Sequence, residues 1–101
     1  MVRITKDIAE KRLTDVPDDV AFRCYDGRIL RSLRELGNAL GDMENEVFVH
    51  HVTEGKNDFS NWVREIIGDE KLAKDLTKAV NTQQATKTVS SRIAFLESKL
   101  V

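Results

Sequence analysis

The chain has one cysteine, one proline and one tryptophan in 101 residues, and no apolar run approaches the ~20 residues that a spanning helix needs. Each scarcity excludes something. Cys24 alone cannot staple the chain to itself, so a disulfide-built secreted scaffold is ruled out. The N-terminal Met1-Val2-Arg3-Ile4-Thr5-Lys6-Asp7 has no apolar signal-peptide core. With the lone cysteine, that makes the cytoplasm the expected compartment and gives the membrane no part. There is no Pro- or Gly-rich linker and no internal repeat, so residues 1–101 are expected to form one helical domain. The aromatics (Phe22, Tyr25, Phe48, Phe59, Trp62 and Phe95) are not interleaved with basic residues as a base-stacking platform requires. They read as core, with the placement of Tyr25 open.

What is present is charge, unevenly spread. Hydrophobic residues at 41% suffice for a core, and charged residues at 33% sum to a net −1. Residues 1–14 carry +2, residues 15–70 carry −7 and residues 71–101 carry +4. The total offers a polyanion little, which disfavours nucleic acid. The basic C-terminal part is expected to pack beside the acidic body. The sharper alternative presents it to an anionic partner.

Apolar spacing predicts a mainly α fold, a compact bundle of about five short helices with room for one short extended segment near residues 20–25. Thr5 is a candidate cap for a first helix over residues 5–14. Ile29, Leu33, Leu36 and Leu40 recur four, three and four apart, and Ser32 with Glu35 fits a capping box, leaving Ile29 as its staple. Gly41 is the expected stop, in a left-handed conformation. Residues 45–53 are rich in β-formers, yet Val47, Phe48, His51 and Val52 share a helical face, and a helix is preferred. Asn57 or Asp58 caps a helix carrying Phe59, Trp62, Val63 and Ile66 inward, closed by Gly68. Asp69 caps the next, with Leu72, Ala73, Leu76 and Val80 inward. Residues 82–101 form a C-terminal amphipathic helix whose narrow stripe is Val89, Ile93, Leu96 and Leu100. That stripe must be covered, either by folding back, which is preferred, or by a second copy or another protein.

Few residues suggest chemistry. Glu46, His50 and Glu54 lie one turn apart if that segment is helical, but three ligands on one short helix make no closed metal site, and no metal or cofactor is expected. His51 on the apolar face reads as a core histidine donating a hydrogen bond. Cys24 has no local base and reads as a buried small hydrophobe. Gly55-Lys56 lacks both the upstream glycine and the following Ser/Thr of a phosphate loop. Arg28, Arg31 and Arg34 recur every third residue among acidic neighbours and read as a solvated face.

Two stretches, Gly27 to Leu36 and Lys56-Asn57-Asp58-Phe59-Ser60-Asn61-Trp62-Val63 through Asp69, resemble a small archaeal and bacterial family known as domain of unknown function 5752. The resemblance covers residues 20–80 and rests on Asn-Asp-Phe-x-x-Trp-Val and the step from Phe48 to His51. It implies no activity. It does direct attention to His51, Asn57, Asp58 and Trp62, which fall on the family's recurrent pattern. The expected function is a non-enzymatic helical interaction or regulatory module, able to self-associate through its last helix. The rival is a small-ligand or metal-binding domain with weak hydrolase or transferase activity centred on His51 and Asp58, with Cys24 or Arg28 nearby. The candidate functional surface is therefore His51, Asn57, Asp58 and Arg28.

Overall fold

A computed structural model describes residues 3–101, which form six helices and two short antiparallel hairpins, a mainly α architecture. In order these are α1 (Lys6–Leu13), β1 (Phe22–Arg23), β2 (Ile29–Leu30), α2 (Leu33–Gly41), α3 (Asn45–His51), β3 (Val52–Thr53), β4 (Lys56–Asn57), α4 (Asp58–Trp62), α5 (Glu70–Leu76) and α6 (Thr82–Ser98). A single 3₁₀ turn over Asp18–Val20 leads into β1.

The helix starts follow local chemistry. Thr5, Ser32, Asn57, Asp69 and Asn81 each accept a backbone N–H from three residues on, which satisfies one orphan donor at each helix start. At α2 the return half of the expected capping box shifts by one residue. The Glu35 carboxylate accepts from the Arg31 N–H at 2.7 Å rather than from Ser32. Ile29 is not a staple but lies in β2, where it pairs with Arg23 while Leu30 pairs with Phe22. The extended segment near residues 20–25 thus finds its partner in residues that helical spacing had claimed. Strand alternation turns Leu30 inward and leaves Ile29 exposed.

Four further expectations are corrected. Gly41 ends α2 without a left-handed conformation, which among the described glycines belongs to Gly27 and Gly68. Helix α3 stops at His51, because Val52 and Thr53 leave it to pair with Asn57 and Lys56. After α4 the backbone widens into a π-type turn over Val63–Ile67, where the Gly68 N–H reaches the Val63 carbonyl at 2.8 Å. The extra residue rotates the apolar stripe, so Ile67 is buried and Ile66 only half-buried. Gly68 closes that turn at φ +85°, which only glycine adopts without strain. After α5, Ala79 is buried and Val80 is exposed, since the helix ends before Val80 could turn inward.

One core collects Leu33, Leu36, Leu40, Phe48, Phe59, Trp62, Leu72 and Leu76, with Ile66 packed against its edge. Helix α6 folds back against α2, α5 and α1, burying Val89 and Leu96. Gly37 permits this close approach. A Cβ there would stand 3.3 Å from Val89 Cγ1.

Candidate functional site

His51 is the last residue of α3, and its imidazole is 5% exposed among Phe22 and Phe59, whose ring centroids lie 5.1 Å from its own. The ring's two nitrogens are both engaged. The Tyr25 backbone N–H donates to Nε2 at 2.9 Å, and Nδ1 stands 3.0 Å from Asp58 Oδ2. A backbone amide can only donate, so Nε2 must accept. The neutral ring therefore carries its proton on Nδ1 and donates it to Asp58. Lys56 Nζ reaches the same Asp58 oxygen at 3.2 Å. Burial pushes the Asp58 carboxyl upward, but the hydrogen bonds from His51 and Lys56 outweigh it and hold the group below its ordinary value.

The candidate residues therefore divide. His51 and Asp58 meet directly. Asn57 serves its own helix, where Oδ1 caps α4 at the Ser60 N–H (3.0 Å) and Nδ2 donates to the Leu76 carbonyl of α5 (3.2 Å). Trp62 is buried and donates Nε1–H to the Val20 carbonyl at 2.8 Å, tying α4 to the turn before β1. Arg28 sits in the hairpin between β1 and β2 with its guanidinium shared between Asp26 (2.9 Å) and Asp42 (2.6 Å). The hydrogen bonds that Arg28 donates, to Asp26 first and then to Asp42, raise its pKa. In turn they hold the Asp26 carboxyl down to about 2. The open cleft beside Arg28 is lined by Tyr25, Asp26, Asp42, Glu44, Glu46 and Val47, and His51, Asn57 and Asp58 lie outside its lining. Cys24 is buried, and burial raises its thiol pKa. The Glu46, His50 and Glu54 set does not survive on one helix, because α3 ends before Glu54. No metal-ligating group of three stands together among the described residues.

The other two arginines of the triplet are also spent on carboxylates, Arg31 on Asp18 at 2.6 Å and Arg34 on Glu97 at 2.8 Å. Their spacing signalled neighbours of opposite sign, not a phosphate site.

Three features escaped the sequence. Tyr25 is 61% exposed and stacks on His50 with ring centroids 3.8 Å apart, a pairing that depends on the hairpin meeting α3. Asp69 is 0% exposed and does more than cap α5. It also receives Arg92 of α6 at 2.7 and 3.0 Å, with Arg12 of α1 at 3.6 Å. Its cap position was legible, while its partners 23 and 57 residues away were not. The third is a shallow groove between α5 and α6 lined by Lys71, Asp75, Lys78, Lys87, Ser91 and Phe95. A signal for it existed in the +4 of residues 71–101 and the four-residue spacing of Lys87, Ser91 and Phe95.

No family model, curated protein or solved structure matches the chain, so the resemblance to the domain of unknown function rests on its residues alone.

Proposed function

We propose that this protein is a non-enzymatic helical interaction module, and that its histidine–aspartate pair serves the fold. The observation that carries this reading is the engagement of both His51 nitrogens within a nearly closed shell. A general base needs a ring nitrogen with a lone pair facing its substrate. Here Nε2 accepts a main-chain N–H and Nδ1 faces a carboxylate. Releasing Nε2 to a substrate would leave the part-buried Tyr25 N–H without its acceptor, at a cost of about 1–3 kcal/mol. The pair instead joins three pieces of chain: the β1–β2 hairpin, the end of α3 and the start of α4. That leaves the exposed surfaces, rather than the pair, to carry function.

Two residues of the α6 stripe, Val89 and Leu96, are covered within the chain, while Ile93 and Leu100 are half-buried, which leaves little of the stripe for self-association. Partner contact falls to surfaces that remain open.

The test uses chromogenic ester, amide and phosphoester substrates with the full chain and with His51→Ala. The expected result is no turnover that depends on His51. Turnover abolished by His51→Ala, with the variant still folded by circular dichroism, would overturn the reading in favour of its hydrolase rival.

A further inference from the structure

We propose that the groove between α5 and α6 docks an acidic segment of another protein, with Phe95 taking one apolar side chain. Two rows of side chains make the groove. Lys71, Asp75 and Lys78 come from α5 and the turn after it, and Lys87, Ser91 and Phe95 come from α6. Internal pairing leaves a surplus of positive charge. Lys71 is matched by Asp75 at 2.9 Å, and Arg92 by the buried Asp69 at 2.7 Å. Lys78 and Lys87 pair with no carboxylate among the described residues, and both line the groove from opposite walls. Phe95 is 39% exposed, with the Arg92 guanidinium 4.9 Å and the Lys99 ammonium 5.0 Å from its ring centroid. An exposed ring bordered by cations rewards a ligand that brings both an apolar side chain and negative charge.

Charge complementarity selects the occupant. Residues 71–101 carry +4 while residues 15–70 carry −7. A long polyanion such as a nucleic acid would gain at the groove and be repelled by the acidic body beyond it. Phe95 is also the single ring lining the groove, whereas a strand of bases is held by a succession of stacking rings. A second copy could offer its own acidic cleft near Arg28. That contact would be head-to-tail and would commit the protein to rings or open chains of molecules. A short acidic segment with an apolar anchor meets every feature of the groove and none of these objections.

This inference rests on the interaction-module reading and fails separately from it. The experiment titrates the isotope-labelled full chain with a synthetic peptide of glutamate and leucine, and with a single-stranded DNA oligonucleotide of equal charge. Amide shifts are followed by NMR. The peptide is expected to move Lys78, Lys87, Ser91 and Phe95, and to bind more weakly as salt rises. The double variant Lys78→Glu, Lys87→Glu should weaken binding at least ~10-fold, about 1.4 kcal/mol, with its melting temperature unchanged. An unmoved groove, an indifferent double variant, tighter binding of the oligonucleotide, or peptide-independent self-association through the groove would each overturn the proposal. Such a failure without His51-dependent turnover removes only the acidic partner. His51-dependent turnover instead removes the module reading, whatever the groove binds.

Discussion

At the scale of single residues, the decisive fact is how completely the polar side chains are used within the fold. Among the described residues no buried side-chain nitrogen or oxygen lacks a hydrogen-bond partner. His51 is the clearest case, since its ring fills space against Phe22 and Phe59 while both nitrogens hold other segments in place. His51→Ala strands the Tyr25 N–H and removes aromatic contacts. It should cost about 2–4 kcal/mol, read as a lower urea midpoint. An unchanged midpoint would mean the pair contributes nothing to the fold. The neighbouring carboxylates set the acid limit. Asp26 and Asp58 both have folded pKa values below their ordinary 3.8. The stabilisation they supply is complete above that value and is lost as pH falls through the folded values, which for Asp26 means down to about 2. Thermal melts between neutral pH and pH 2 should therefore fall most steeply below ~4, and Asp26→Asn should flatten the decline. A melting temperature that is flat below that point would contradict the assignment.

At the scale of elements, α6 completes the molecule. It covers α2 and α5, and its Arg92 neutralises the buried Asp69 that caps α5. Truncation after Asn81 removes both the apolar cover and the arginine. Breaking a buried ion pair costs up to about 3–5 kcal/mol, comparable to the whole stability of a small domain, and Asp69 would keep only the longer contact to Arg12 at 3.6 Å. The truncated chain should lose its cooperative melt and bind a hydrophobic dye. A truncated chain that melts cooperatively near the full-length temperature would refute this role. This scale also shows what sequence reveals. Caps at Thr5, Ser32, Asn57 and Asp69 were readable because each acts three residues away. The Leu33, Leu36 and Leu40 face was readable because period and burial coincide. Ile29, Ile66 and Val80 were misplaced where a strand, a widened turn and an early helix end break the period. The convergence of His51 with Asp58 was not readable, because it depends on the β3–β4 hairpin turning the chain between them. The Asp69–Arg92 contact likewise exists only once α6 has folded back.

At the scale of the whole molecule, the radius of gyration is 12.8 Å, close to the ~13 Å of a compact chain of this size. No described helix is long and apolar enough to cross a membrane. Nearly all apolar faces are covered, and what remains outside is charge of both signs with scattered apolar side chains, among them Tyr25, Ile29, Val49, Val80 and Phe95. The basic α5–α6 groove and the acidic cleft beside Arg28 are separate surfaces, and only the former leaves two cations without internal partners. The division between a committed interior and an open surface depends most on His51. A long-range proton–nitrogen NMR spectrum of the histidine rings, recorded on the full chain near neutral pH, tests it most directly. It should show His51 in the Nδ1–H form, with a slowly exchanging ring proton and a Tyr25 amide coupled across its hydrogen bond to Nε2. A His51 ring in the Nε2–H form would contradict the structural role, and an Nδ1–H ring whose Nε2 is open to solvent beside an unprotected Tyr25 amide would return the histidine–aspartate pair to candidacy for catalysis.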